Sequence, residues 1–187
     1  MPLTLASSDF DLFGLPVQFA QDRPALDLRW KQLQREAHPD KFAAQDGAAQ
    51  RLAMQWSVRI NQAYQRLRDP LKRAAYLCEL AGAKVNADNN TAMPAQFLQN
   101  QMQWREELDD ATSLGQLDTL QTSVEEARQQ ALAECARLLD AAHDAVGAVG
   151  LVRALMFIER FAADLDNKAE QFASSARVSA GSTHQLS

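Results

Sequence analysis

The sequence predicts an all-α protein built from two helical units. Apolar residues recur at helical spacing along most of the 187 residues, and only seven glycines interrupt them. Alternating β-branched runs, which would indicate strands, are missing. An Asn-rich stretch without apolar periodicity separates two helical regions. We therefore expect an N-terminal unit over 1–82, a linker over 83–93, a C-terminal unit over 94–173 and a disordered Ser/Ala/Gly-rich tail over 174–187.

The N-terminal unit is predicted to hold four helices, which end at glycine or proline signals. The second and third are long, and each carries a single apolar stripe, so they are expected to pack as an antiparallel hairpin. The second helix buries Leu26, Trp30, Leu33 and Ala37, and the third buries Leu52, Trp56, Ile60, Ala63 and Leu67. The predicted bounds are Asp9–Phe13, Pro24–Ala37, Ala48–Arg68 and Leu71–Leu80.

Three amphipathic helices are predicted for the C-terminal unit. Pro94 opens the first, Ser113 with Gln116 forms a capping-box pattern for the second, and Gly147 and Gly150 mark the break before the third. Helices of this length with one apolar stripe each need partners, so we expect an antiparallel three-helix bundle. Its core residues are predicted to be Phe97, Trp104, Leu108, Ala111, Leu117, Val124, Ala131, Cys135, Leu138, Leu151, Leu155, Ile158, Ala162 and Leu165.

Composition excludes several classes of function. The net charge of -5 argues against a nucleic-acid partner, because binding to phosphates needs a basic field. No segment is long and apolar enough for a membrane span, and no basic and apolar signal peptide opens the chain. Cys78 and Cys135 have no neighbouring ligand at zinc spacing, so we expect buried thiols, no metal and no cofactor. These features indicate a cytoplasmic protein.

The tripeptide His38-Pro39-Asp40 is the candidate functional motif of the first unit. It lies in a predicted loop between two long helices, where exposed polar residues serve binding more often than packing. Pro39 restricts the backbone and so limits how its two neighbours project. Basic residues flank the loop and favour an acidic partner surface. They are Lys31, Arg35 and Lys41.

Two other interpretations of this tripeptide are weaker. His38 could be a capping residue beside a solvated basic face, or a general base oriented by Asp40. No serine or cysteine nucleophile is placed nearby in the sequence, which argues against catalysis.

A second candidate surface lies in the C-terminal unit. Leu98 and Met102 fall roughly 100–140° from the Phe97 stripe of their helix, beside Glu106, so they cannot share its buried face. Phe157 lies similarly off the stripe of the last helix. Apolar residues away from the core suggest a partner groove, but packing against the first unit is an equally good explanation.

Residues 9–77 resemble a J-domain. The resemblance starts at Phe10-Asp11-Leu12-Phe13-Gly14-Leu15, runs through His38-Pro39-Asp40, and continues with residues 60–67, Asp69-Pro70 and Arg73-Ala74-Ala75-Tyr76-Leu77. It implies a co-chaperone, not an enzyme, that stimulates the ATPase of a DnaK-type chaperone. The chaperone-binding residues would be His38, Pro39, Asp40, Lys31, Arg35 and Lys41.

The whole layout resembles the HscB family, called Jac-type in mitochondria. Phe97-Leu98, Arg105-Glu106-Glu107-Leu108-Asp109 and residues 155–159 carry this resemblance. It implies delivery of an IscU-type iron–sulfur scaffold protein to an HscA-like chaperone, through Leu98, Met102, Gln103, Glu106, Asp110 and Phe157. The chain is richer in amides at residues 99–103 than the family pattern, and it lacks the four-cysteine zinc segment of some eukaryotic members. The alternative is a J-domain co-chaperone with a different client.

Overall fold

All regular structure in the described part of the chain, residues 3–42, 46–85 and 93–182 of the computed structural model, is helical. The predicted all-α class is therefore confirmed. Two units form, one from Met1–Ala83 with Ala136–Val146 and one from Lys84–Cys135 with Gly147–Ser187. The helices are α1 (Asp9–Phe13), α2 (Arg23–Glu36), α3 (Gly47–Arg68), α4 (Pro70–Leu80), α5 (Ala95–Asp110), α6 (Leu114–Ala136) and α7 (Ala145–Ser182), with a 3-10 turn at Pro39–Phe42 and a π-helical turn at Arg137–Ala141.

Aspartate caps set the start of each long helix in the first unit. The side chains of Asp22, Asp46 and Asp69 each accept a backbone N–H three residues further on, at the starts of α2, α3 and α4. At the other end of α2, Pro39 disfavours helical backbone at His38. The end of α2 and the start of α3 are therefore both defined, and residues 38–42 lie in the connection between them.

A buried ion cluster joins α1 to α3. The Asp9 carboxylate is fully buried, with its Oδ1 2.7 Å from Arg59 Nη1 and its Oδ2 3.2 Å from Arg66 Nη1. Its backbone N–H donates to the Tyr76 hydroxyl of α4 at 3.0 Å. A buried carboxylate is stable only when it is paired in this way, so α1 has one defined position on α3.

Residues from far along the chain complete the first unit. Asp140, in the turn between α6 and α7, accepts the backbone N–H groups of Phe19 and Ala20 at 2.5 and 2.8 Å. Arg73 Nε donates to the Phe19 carbonyl at 2.7 Å, and its guanidinium lies 5.0 Å from the centre of the Phe19 ring. The loop between α1 and α2 is thus bound through both its N–H and its carbonyl groups.

Aromatic contacts hold the bundle of α5, α6 and α7. The rings of Trp104 and Phe161 stack with centroids 5.9 Å apart, and Phe97 meets Trp104 edge-on at 5.9 Å. The Trp104 indole N–H also donates to Ser123 Oγ of α6 at 3.3 Å. Lys168 of α7 donates to the carbonyls of the last turn of α5, where a cation suits the helix dipole.

The break before the last helix is not where the sequence suggested. Gly147 and Gly150 lie inside α7, so the break predicted there is wrong. The chain turns at residues 142–144 instead, where His143 adopts a left-handed φ of 51° and the Asp144 N–H donates to the Leu138 carbonyl. Helices tolerate isolated glycines, and a left-handed residue after the last turn ends them more effectively.

One further expectation is corrected, and another stays a prediction. The disordered tail is predicted over 174–187; α7 continues through Ser182, and residues 183–187 lie outside the described part. Leu52, predicted in the core of α3, is 49% exposed because it lies at the edge of its stripe. There it lines an apolar cavity of about 350 Å³ with Leu3, Leu33 and Trp56. The predicted linker falls largely outside the described residues, although Ala83 and Val85 are buried.

Candidate functional site

The His38-Pro39-Asp40 loop projects from the end of the helical hairpin. The side chains of His38 and Asp40 are 57% and 89% exposed, and Pro39 opens the 3-10 turn that carries Asp40. The Lys41 N–H donates to the His38 carbonyl at 3.0 Å, which closes the turn. The predicted loop therefore presents both polar side chains to solvent in a restricted backbone geometry.

His38 Nδ1 has two neighbours that compete for it. The Asp40 backbone N–H donates to Nδ1 at 3.2 Å, while the Asp40 carboxylate lies 3.5 Å from the same nitrogen. Both contacts involve Nδ1, and the side chain is 57% exposed, so Nε2 is the ring nitrogen available to a partner.

The rotation of α2 is fixed by polar contacts with α3. Asn61 Oδ1 accepts from Trp30 Nε1 at 2.9 Å and from Gln34 Nε2 at 2.7 Å, and the Trp30 ring stacks on Tyr64 with centroids 4.6 Å apart. Because these residues face α3, Lys31 and Arg35 face solvent. Asn61 was not among the predicted site residues, although polar residues facing each other across a predicted hairpin could have indicated it.

The Tyr64 hydroxyl extends the contact between α2 and α3 to the N-terminal part of α2. It donates to Asp27 Oδ1 at 2.8 Å, and Arg23 Nε donates to the same oxygen at 2.8 Å. These hydrogen bonds, first from Tyr64 and then from Arg23, lower the pKa of the Asp27 carboxyl. The basic face is made of the exposed residues Lys31 and Arg35 on α2, which α3 anchors at several points, and Lys41 in the 3-10 turn that follows.

The three apolar residues of the second candidate surface do not share one environment. Leu98 and Met102 are 46% and 68% exposed, while Phe157 is 7% exposed. The Phe157 ring meets Phe97 edge-on at 5.7 Å, and the Arg105 guanidinium covers it at 5.5 Å from the ring centre. Leu98 and Met102 are thus open to a partner, whereas Phe157 packs within the bundle.

The polar residues of this surface lie on another side of α5. Gln103, Glu106 and Asp110 line a groove of about 670 Å³ between α5 and the start of α6. At about 100° per residue, Gln103 and Asp110 lie roughly 100° beyond Met102 around the helix, with Glu106 between them. The six predicted residues therefore form an exposed apolar pair, an acidic groove beside it, and one buried ring.

The described residues show neither a metal site nor a membrane helix. No three His, Cys, Asp or Glu side chains within residues 3–42, 46–85 and 93–182 come together as ligands, and no helix among them is long and apolar enough to cross a bilayer. Cys78 and Cys135 are buried thiols that are not joined in a disulfide. Burial raises the pKa of the Cys78 thiol to about 11, which keeps it protonated and unreactive.

Comparisons with known proteins identify the family. Residues 93–166 match the family described as the HSCB C-terminal oligomerisation domain. The co-chaperone protein HscB homolog of Burkholderia thailandensis is 48% identical over 172 residues, which are 90% of this chain and 98% of that protein. The chain belongs to the HscB family of co-chaperones. The HscB homolog of Burkholderia multivorans, 46% identical over the same share of both chains, agrees.

Solved HscB structures have the same fold. The chaperone HscB from Vibrio cholerae is 34% identical, covers 89% of this chain and 99% of its own, and superposes with a TM-score of 0.76. The human co-chaperone protein HscB, at 23% identity, covers 90% of this chain and 85% of its own with a TM-score of 0.82, and shows the fold. The relatives carry the name co-chaperone.

Proposed function

We propose that this HscB-family co-chaperone acts in the cytoplasm by stimulating the ATPase of a DnaK-type, HscA-like chaperone and delivering an IscU-type scaffold protein to it during iron–sulfur cluster assembly. One observation carries the proposal. The exposed His38-Pro39-Asp40 loop stands at the end of a helix whose Lys31 and Arg35 face solvent. A fixed polar loop beside a basic face suits docking on an acidic surface.

Each unit has its own part in this mechanism. The loop and the basic face dock on the ATP-bound chaperone and favour its hydrolysis-competent state. The exposed pair Leu98 and Met102 covers the apolar part of the scaffold contact, with Gln103, Glu106 and Asp110 beside it. Phe157 contributes to the scaffold contact indirectly, because it packs against Phe97 and the Arg105 guanidinium lies over its ring. The protein supplies positioning and a conformational bias, and its side chains break no bonds.

Single-turnover ATP hydrolysis by the chaperone tests both parts. We expect stimulation by the intact chain that is lost in His38→Gln and in Asp40→Asn and that rises further with scaffold. Glu79→Gln, an exposed single-charge change on α4, is the matched control and should stimulate normally. No stimulation by the intact chain with either of two DnaK-type chaperones from the same cell would refute the chaperone assignment.

The second candidate is a J-domain co-chaperone with a different client. The amide-rich stretch at residues 99–103 and the burial of Phe157 favour it, because they weaken the match to the family's contact face. Stimulation that requires His38 but ignores the scaffold would support this candidate. Loss of scaffold binding in Leu98→Ala with Met102→Ala would support the first.

A further inference from the structure

The two sides of α5 differ in charge. The groove toward α6 is lined by Glu106, Glu107 and Asp110 and by no lysine or arginine. The cavity toward α7, about 500 Å³ in volume, contains two arginines. Its lining is Met93, Gln101, Arg105, Leu108, Asp109, Phe157, Arg160, Phe161 and Asp164.

Both arginines have donors to spare. Arg105 lies over the Phe157 ring, and Arg160 uses its Nε to donate to the Met156 carbonyl at 3.2 Å. Neither forms an ion pair with a described residue, although Asp109 and Asp164 line the same cavity. A guanidinium presents five N–H donors in a fixed plane, and stacking on an aromatic ring holds that plane in place. The cavity therefore offers a preoriented site for a carboxylate.

The cavity continues the exposed apolar pair. Arg105 follows Met102 by three residues and Leu98 by seven, so the three lie within roughly 60° of one another on α5. A partner segment that covers Leu98 and Met102 must therefore pass beside Arg105. The groove on the other side of α5 suits a cationic group of the partner better, because it contains carboxylates and no arginine.

We propose that Arg105 and Arg160 bind an acidic side chain of the scaffold protein, next to the apolar segment that covers Leu98 and Met102. This inference rests on the proposed function and adds the register of the scaffold across α5. An acidic group lies on the α7 side, an apolar group over Leu98 and Met102, and a basic group on the α6 side. The reverse orientation would place the acidic group of the scaffold against Glu106, Glu107 and Asp110, so charges in this order favour one orientation.

Titration of the purified IscU-type scaffold into full-length variants tests the assignment. We expect Arg105→Gln and Arg160→Gln to bind about two- to fivefold more weakly each, as exposed charge pairs do. The double variant should also lose less affinity between low and high salt than the unaltered chain, because fewer screened pairs remain. Arg160 does not stack on Phe157, so its variant reports on charge with less effect on packing.

Arg128→Gln is the matched control. It makes the same charge change on α6, outside this cavity, where Arg128 Nη1 lies 3.3 Å from Glu125 Oε1. Binding of the scaffold should be unchanged. Unchanged affinity and salt dependence in both arginine variants, with Leu98→Ala still weakening binding, would overturn the inference alone. No scaffold binding by the unaltered chain would overturn the proposed function and this inference with it. A loss shared equally by Arg128→Gln would mean a general charge effect and would also overturn it.

Discussion

Asp140 accepts the backbone N–H of Phe19 at 2.5 Å, although the two residues are 121 positions apart in the chain. Its second oxygen accepts the next N–H, so one carboxylate satisfies two loop donors. Removing it in Asp140→Ala leaves both donors unpaired, which should destabilise the protein by about 1–3 kcal/mol.

Thermal unfolding and hydrogen exchange check this prediction. The amides of Phe19 and Ala20 should exchange faster in Asp140→Ala, and the melting temperature should fall. Asp118→Ala, which removes an exposed carboxylate of α6, is the control and should change neither. Retained protection of both amides would show that the hydrogen bonds to Asp140 are not the ones that hold this loop.

Asp9→Asn should be among the most damaging single substitutions in the first unit. It removes the charge that pairs with Arg59 and Arg66 but keeps the shape of the side chain. Breaking a buried ion cluster from one side costs about 3–5 kcal/mol, because the remaining charges lose their compensation. Denaturant unfolding measures it, with Asp11→Asn as an exposed control in the same helix. Similar stability in the two variants would contradict a stabilising role for the cluster.

Tyr64→Phe should destabilise the protein in a pH-dependent way. The Tyr64 hydroxyl is the largest cause of the lowered pKa of Asp27, so its hydrogen bond stabilises the fold while Asp27 is ionised. That contribution is present above the ordinary carboxyl pKa of 3.8 and is lost as the pH falls through the lowered folded value. The difference in melting temperature between Tyr64→Phe and the unaltered chain should therefore shrink in acid. In an Asp27→Asn background it should not vary with pH.

Lys168→Met should loosen the end of α5. The Lys168 ammonium donates to the carbonyls of Leu108 and Asp109, two of the groups that a helix leaves unpaired at its C-terminus. We expect a loss of about 0.3–1 kcal/mol and faster amide exchange in the last turn of α5. Lys84→Met, at an exposed lysine of the same unit, is the control. Equal losses in both variants would mean that the position of the charge does not matter.

Local signals in the sequence predicted most helix ends, because proline and aspartate act on the few residues beside them. Asp69-Pro70 divides α3 from α4, and α1 has the predicted bounds. The helix break predicted at Gly147 was wrong, because a glycine permits a break without requiring one. The burial of Phe157 could not be predicted from the stripe of α7, because it depends on how wide a face α5 covers with Phe97 and Arg105.

Contacts between distant segments were beyond the sequence patterns. Nothing near Asp140 indicates that it binds a loop at Phe19, and periodicity cannot place a turn of the C-terminal half in the first unit. In the candidate site, the predicted exposure of His38 and Asp40 follows from a loop between two helices. The sequence could not predict that the α5 residues divide between an exposed apolar pair and a separate acidic groove, because this division depends on where α6 and α7 pack against α5.

The discontinuous first unit has a consequence for synthesis. Because Ala136–Val146 belongs to it, the unit cannot be completed when Ala83 leaves the ribosome. Translation at about 5–20 residues per second imposes a delay of several seconds before Asp140 emerges, during which the Phe19 loop lacks its acceptor. A nascent chain stalled before that point would carry the His38-Pro39-Asp40 loop on an N-terminal unit that still lacks its last segment.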